Sequence, residues 1–343
     1  MALGRSTDGL RTAGDAKRRE YMTGPEGLKR TVLRALDFVF ALRPTVVVGM
    51  WVFFFAGAAL AARATGQQFS LRAPSGPVLL GFLSMTAALG GGCLLNQITD
   101  VETDRVNEKL FLLPRGIIST RAAWTELAVV WAAAVALALT LAPHFRMVLG
   151  ASLLLNLTYS APPVRAKSRV PLDMLWNGLG FGLASTAAGW ATLAPLDARV
   201  LPVGLAYTLA VAGVTASTTV PDVEGDRAAG MRTTAAVLGE RGASVLTLVL
   251  VALAALAGAA LRDSLALFGP LLSLPLLIRA HVTGVRTHRV EADQWMVAAF
   301  VVVASFRAPY LLVLLALVYF GSRWYYRARF GVTYPESGAP GGG

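Results

Sequence analysis

From Thr45 to Phe320 the chain reads as long apolar runs separated by short polar joins. Nine runs of roughly 16–25 residues can be marked, the length a helix needs to cross a bilayer core of about 30 Å. They lie at 45–62, 77–97, 124–142, 145–160, 176–193, 200–220, 243–260, 265–280 and 296–320. Very short joins at 143–144, 194–199 and 261–264 make neighbouring runs into helical hairpins. Only helices and closed barrels satisfy their backbone in lipid. Unbroken runs, rather than ten-residue alternations, exclude the barrel. The expected fold is therefore all-α, a polytopic membrane bundle of about nine transmembrane helices. Ahead of it, Leu28, Val32, Ala35, Leu36, Val39 and Leu42 recur at helical spacing opposite Lys29, Arg30, Arg34 and Asp37. That pattern predicts an amphipathic helix over 27–43 lying on the membrane surface. Residues 1–26 read as a disordered polar leader, 44–322 as the transmembrane domain, and 323–343, ending SGAPGGG, as a flexible tail.

Composition sharpens the class. Apolar residues make up 55% of the 343 and charged residues 15%, where a soluble domain carries roughly 25% charged. So large an apolar excess needs lipid as solvent, which excludes a soluble globular enzyme. The single cysteine, Cys93, excludes an intramolecular disulfide or a multi-cysteine metal site. No apolar stretch precedes Thr45, so no cleavable signal is expected.

The net charge of +11 would suggest nucleic acid in a soluble protein. Here the basic residues follow the membrane instead. With Arg279 and Arg146, at the ends of their runs, counted to the adjoining segments, the N-terminal side of the nine-run parse carries 22 Lys and Arg and the other side 8, with Arg307 inside the last run. Such asymmetry places the N-terminus and the long loops in the cytoplasm, as in a bacterial inner membrane. Arg323, Arg327 and Arg329 fall on the wrong side of this parse.

The acids are not scattered. Of 12 Asp and Glu residues between positions 44 and 290, six lie in two five-residue windows, Asp100/Glu102/Asp104 and Asp222/Glu224/Asp226. Asp100-Val-Glu-Thr-Asp-Arg105 and Asp222-Val-Glu-Gly-Asp-Arg227 agree at five of six positions, 122 residues apart. Both follow an even-numbered run, as an internal duplication would place them at two sides of one cavity. Asn96, Asp100 and Asp104 stand at i, i+4, i+8, and Asp222 and Asp226 at i, i+4, so each set shares one helix face. Like charges so spaced repel, and a cation between them relieves the repulsion. Oxygen ligands without His or Cys favour Mg²⁺, which binds a few carboxylates together with substrate phosphates. The matching chemistry is ionisation of a carbon–oxygen bond with diphosphate as leaving group. The plainer alternative is two charged loop ends, with Arg105 and Arg227 pairing the acids.

At these residues the chain resembles the UbiA family of intramembrane prenyltransferases. The motifs read N96-QIT-D100-VET-D104 and D222-VEG-D226. The stretch from Arg227 to Thr233, the segment Tyr159-Ser-Ala-Pro-Pro-Val-Arg165-Ala-Lys167 and the pair Arg43-Pro44 extend the likeness over about residues 40 to 320. The resemblance implies nine transmembrane helices and a Mg²⁺-dependent transfer of a prenyl group from a polyprenyl diphosphate to a small acceptor. It assigns Asp100, Asp104, Asp222 and Asp226 to the catalytic Mg²⁺ and the diphosphate. Asn96 completes the first face, and Tyr159, Arg165 and Lys167 contact the diphosphate, with Arg43 also a substrate-binding candidate. An aromatic, quinone-precursor-like acceptor is the first expectation, a glycerol phosphate the alternative. This sequence departs from the family at Gln97, where Asp is frequent, at Thr219, where another acid is common, and at 107–116, where an Asn-Arg-Pro turn is frequent.

Arg307 either faces the cavity, helping to hold an anionic acceptor, or pairs elsewhere where Pro309 breaks the helix. Gly90-Gly91-Gly92 reads as a close helix-packing face. Trp176, Asn177 and Trp190 are candidate cavity lining, and Trp324, Tyr325 and Tyr326 a candidate interfacial anchor. Two rival functions compete. A membrane phosphoalcohol transferase would carry its acids in one contiguous segment. A cation-coupled transporter would carry them at mid-membrane.

Overall fold

A computed structural model of the chain describes residues 28–70, 72–106, 112–228 and 230–332. The expected leader at 1–26, the centre of the loop after the first acidic motif and the last eleven residues lie outside them. Among the described residues there are helices and no strand, with one isolated backbone bridge between Arg169 and Arg232.

The amphipathic segment forms α1 (Leu28–Ala41). Its outward Val32 and Val39 are about half exposed, as a lipid-facing stripe requires, while Leu33, Phe40 and Ala41 are buried. Asp37, expected on the polar face, is instead buried at 4% exposure. Arg43 then turns the chain with a left-handed backbone (φ 53) and Pro44 opens α2 (Pro44–Thr65), proline being preorganised for a first helical turn. Almost every residue of α2 from Val47 to Ala58 is buried, so α2 is the helix around which the others assemble.

The next helices are α3 (Gly76–Val106), α4 (Thr120–Leu139) and α5 (Pro143–Ser160). On α3, Gly90 packs against Leu42, Gly91 against Trp131 and Gly92 against Asn156, the close helix face expected of that triplet. The fifth run is not one α-helix. It comprises α6 (Leu172–Asn177), a π-helical segment (Gly178–Ala184) and α7 (Ser185–Ala191). Here α7 lies on α2 with no room between them: a methyl added at Gly189 would overlap the Phe54 carbonyl. Then follow α8 (Val200–Thr218), the short α9 (Val223–Ala228), α10 (Thr234–Leu261) and α11 (Ser264–Thr283). Among the described residues, six helices are long and apolar enough to cross a membrane.

The last run is where the sequence reading fails. Residues 296–320 are not one span but the end of α12 (Arg286–Ser305), a break at Phe306–Pro309, and the start of α13 (Tyr310–Phe330). Near the break the Arg307 guanidinium meets Asp263 at 3.3 Å and Ser264 at 2.8 Å, at the α10–α11 turn and away from the cavity. α13 runs antiparallel to α2. Its first residue, Tyr310, packs on Phe55, and its last turns meet α1, with Tyr325 stacked on Phe40 at 3.9 Å. Tyr325 and Arg329 both donate to Asp37, at 2.7 and 3.0 Å. Residues 323–330 are therefore helix rather than flexible tail, and Tyr325 and Tyr326 are buried while Trp324 is exposed. The three basic residues of α13 accordingly lie on the side of α1, where charge asymmetry would put them.

Candidate active site

The first motif occupies the last turns of α3, so Asn96, Asp100 and Asp104 point in one direction. Facing them is the loop 161–171, which carries cis Pro162–Pro163 and Val170–Pro171 bonds. In this loop Arg165 holds a left-handed backbone (φ 41) and Lys167 sits in a single 3₁₀ turn, Ala166–Ser168. A non-glycine residue in that region costs of order 1–3 kcal/mol and persists only where surroundings hold it. Here it aims Arg165 Nη2 at Asp100 Oδ1, 3.2 Å away. Lys167 Nζ donates to Asn96 Oδ1 (2.8 Å), Thr99 Oγ1 (2.9 Å) and Asp100 Oδ2 (2.7 Å). Burial pulls the Lys167 ammonium below the usual lysine range, and the Asp100 carboxylate works against that pull.

What holds this loop comes from the other half of the chain. Val170 N–H donates to the Arg232 carbonyl at 2.7 Å, and Arg232 N–H to the Ser168 carbonyl at 3.0 Å. Beside them the Asp173 carboxylate accepts from both the backbone N–H and the hydroxyl of Thr234, each at 2.6 Å. The segment following the second motif thus fixes the strap that aims Arg165 and Lys167. Asp173 and Asp37 were not singled out from sequence; an acid amid apolar neighbours was the available signal.

The second motif divides its labour. Asp222 ends a 3₁₀ turn, Val220–Asp222, and is exposed. Asp226 is buried and accepts from the Thr233 hydroxyl at 2.7 Å, and Asp104 is buried too. The likeness of the windows extends to their arginines. Arg105 Nε donates to the Pro114 carbonyl at 3.5 Å and Arg227 Nε to the Ala236 carbonyl at 2.9 Å, each nine residues downstream. Arg105 pairs Glu102 as well, at 2.9 Å, so the plainer reading holds for that acid.

Between the motifs opens a cavity of about 560 Å³. Arg43, Asn96, Tyr159 and Asp222 stand at its polar end, and Trp176 and Asn177 on its wall. Tyr159 Oη accepts from Asn177 Nδ2 at 3.1 Å. Deeper lining is apolar, from Met50, Phe53, Met85 and Phe300. Asp100, Arg165 and Lys167 adjoin this end through Asn96 without lining the cavity, and Asp104 and Asp226 do not line it. Trp190 is buried elsewhere, donating to the Pro195 carbonyl at 2.7 Å. The departures from the family pattern have local uses. Gln97 is buried and donates to the Ala41 carbonyl at 2.6 Å, tying α3 to the α1–α2 corner. Thr219 caps the end of α8 through the Thr215 carbonyl.

No group of three or more metal-binding side chains occurs among the described residues. Mg²⁺ usually takes one or two carboxylates and shares the rest of its shell with phosphate and water, unlike a metal in an all-protein cage. Asp100 at the polar end and Asp222 in the cavity fit such sharing.

Fold and site together define an intramembrane helical protein with an acid- and base-rimmed apolar chamber. The chain matches the UbiA prenyltransferase family over residues 50–303 and belongs to it. Among curated relatives, the digeranylgeranylglyceryl phosphate synthase of Halobacterium salinarum is 32% identical over 219 residues, 63% of this chain and 74% of that one. The bacteriochlorophyll synthase 34 kDa chain of Chloroflexus aurantiacus is 27% identical over 51% of this chain, and the match spans 55% of that relative's length. A 2-acyl-4-prenylphloroglucinol 6-prenyltransferase of Humulus lupulus is 31% identical over 43% of this chain and 38% of its own. Among solved structures, a UbiA homologue from Archaeoglobus fulgidus bound to DMAPP and Mg²⁺ superposes with a TM-score of 0.60 at 19% identity, covering 82% of this chain and 99% of that one. The apo UbiA homologue of Aeropyrum pernix K1 gives 0.59 at 24% identity, covering 77% and 96%. Both establish the fold.

Proposed function

We propose that this protein is a Mg²⁺-dependent intramembrane prenyltransferase that moves a prenyl group from a polyprenyl diphosphate to an aromatic, quinone-precursor-like acceptor. The observation that carries the reading is the convergence of Lys167 and Arg165 on Asp100 and Asn96, at the polar end of an apolar chamber that Asp222 enters from the other half of the chain. An apolar tail fits the chamber and a diphosphate fits its rim. Bound Mg²⁺, held by Asp100 and Asp222 with Asp104 and Asp226 behind them, would supply charge neutralisation of the leaving diphosphate. Arg165 and Lys167 add donors to the same anion as the prenyl C–O bond breaks and the electron pair leaves with the diphosphate. The apolar walls keep water from the allylic cation that results. The acceptor attacks C1 of that cation, forms the new bond and loses a proton.

Arg43, on the chamber's polar end, suits an anionic acceptor group. A glycerol phosphate acceptor is the second reading, favoured by the Halobacterium relative, which covers more of this chain than the other two. The acids stand at helix ends rather than mid-helix, which argues against a cation-coupled transporter. Charge asymmetry supports a cytoplasmic N-terminus and site, as in a bacterial inner membrane, and the nine-span family pattern accommodates α2 to α12 with α13 as an added return helix.

The test is diphosphate release from prenyl diphosphates by purified protein in lipid, with and without Mg²⁺, given pooled phenolic and glycerol phosphate acceptors. Release coupled to a prenylated product is expected. Failure of folded protein to bind any prenyl diphosphate would refute the reading.

A further inference from the structure

One wall of the chamber carries a fixed polar group that the acids and bases of the rim do not use. Asn177 closes α6, and the π-helical segment begins at the next residue. That segment lies against α8 without a gap. A methyl added at Gly178 would stand 2.8 Å from the Thr208 carbonyl oxygen, and one at Gly182 2.5 Å from the Thr208 nitrogen. The segment so pinned begins beside Asn177 and carries Gly180 and Phe181, and all three residues line the chamber. A π-helical turn is rare and occurs mostly at functional sites.

The Asn177 amide has one orientation. Its Nδ2 donates to Tyr159 Oη at 3.1 Å and to the Asp173 carbonyl at 3.2 Å, which spends both protons. Turned over, the amide would set its oxygen against the Asp173 carbonyl, acceptor facing acceptor. Oδ1 is left over. It meets no donor among the described residues, yet it is not sealed inside the protein. The open space that Asn177 borders is the chamber.

What Oδ1 can take follows from its chemistry. An amide oxygen accepts only from O–H or N–H, and a carboxylate or an ether oxygen offers it nothing. The surface beside it is a ring. Phe181, one turn deeper, is partly buried and set against α2, where a methyl added at Gly49 would lie 3.5 Å from it. Aromatic rings pack favourably on such a surface. We infer that Asn177 reads the acceptor: its Oδ1 accepts a hydrogen bond from a phenolic hydroxyl whose ring lies on Phe181. The inference rests on the prenyltransferase reading and deepens it, choosing a phenol over a glycerol phosphate. On that reading the Tyr159 proton goes to the diphosphate, so Asn177 and Tyr159 link acceptor to leaving group through two side chains.

The experiment measures kcat/KM for prenylated product with the full chain in lipid, Mg²⁺ and a mixture of prenyl diphosphates. The acceptors are hydroxybenzoates, the matching methoxybenzoates and aminobenzoates, and glycerol phosphate. Wild type is expected to favour hydroxyl over methoxy by about 10- to 100-fold, the effect of leaving a buried acceptor oxygen unsatisfied. Amino compounds, which also donate, should stand nearer the phenols. In Asn177→Leu the hydroxyl-to-methoxy ratio should fall to about one, with donor binding, read from the ligand-induced shift in thermal unfolding, retained. Phe181→Ala should raise KM for every aromatic acceptor about three- to tenfold and leave the ratio as it was. Should Asn177→Leu fail to fold, Asn177→Ala carries the same test, and the wild-type ratio needs no variant. A ratio retained in folded Asn177 variants overturns the inference, and so does a wild type that takes methyl ethers as readily as phenols. Product with glycerol phosphate alone also overturns it, while leaving prenyl transfer intact. Absence of donor binding and of diphosphate release with every acceptor overturns both.

Discussion

Lys167 Nζ lies 2.7 Å from Asp100 Oδ2, across 67 residues of sequence and from a strap to a helix end. The same ammonium also donates to Asn96 and Thr99, so one cation joins three residues of the first motif. Hydrogen bonds to charged groups contribute about 1.5–3 kcal/mol each. Lys167→Met is therefore expected to lower kcat/KM for diphosphate release about 100-fold, with Lys167→Arg recovering part of it. Activity within twofold of wild type in Lys167→Met would remove this residue from the site.

Asp222 is exposed while Asp226 is buried against Thr233, and the two should separate experimentally. Asp222→Asn should abolish Mg²⁺-dependent turnover with thermal unfolding unchanged. Asp226→Asn should reduce turnover and lower the unfolding temperature together. Unfolding curves and a Mg²⁺ titration of both variants check the distinction, and equal destabilisation by the two would contradict it.

Chelation with EDTA should stop diphosphate release, and Mg²⁺ should restore it. On the proposed reading Mg²⁺ is shared with the diphosphate rather than caged by the acids, so it is expected to bind much more tightly in the presence of a prenyl diphosphate than alone. Calorimetry with and without donor tests this, and equal affinity in both would argue for a protein-only metal site.

Asp173 accepts two short bonds from Thr234, which anchor the strap to the segment behind the second motif. Asp173→Ala leaves the buried Thr234 N–H and hydroxyl without this partner, at a cost of about 1–3 kcal/mol for each group left unsatisfied. The unfolding temperature should fall and donor KM should rise, since Lys167 loses its support. A variant with wild-type KM would show the strap to be independently ordered.

The return of α13 predicts where the chain's last described residues face. Cysteines introduced singly at Arg34 and Val332, in a Cys93→Ala background, should react with an impermeant thiol reagent from the same side of the membrane. Arg329→Met, which removes one partner of a buried ion pair with Asp37, should destabilise by about 3–5 kcal/mol and loosen the end of α13. Labelling from opposite sides would restore a single final span.

Much was legible in the residues because lipid makes it so. Spans have to be apolar and long, so runs such as 200–220 and 265–280 announced themselves, and a recurring Asp-x-x-x-Asp window stands out against an apolar background. The spacing also fixed which acids share a helix face. What the chain could not declare was what lies across from each face. Hydropathy reads 296–320 as continuous because a break of a few residues around Arg307 and Pro309 leaves the average apolar, and only packing on Phe55 and Phe40 reverses the chain there. Asp37 looked like an outer charge until Arg329, 292 residues on, arrived to pair it. The sequence by itself determined the solvent, the helices and the chemical character of the two motifs, since these depend on local composition and period. Tertiary structure alone decided which carboxylate meets Lys167, which is buried, and how deep the chamber runs, because those depend on distances between helices that no local pattern encodes.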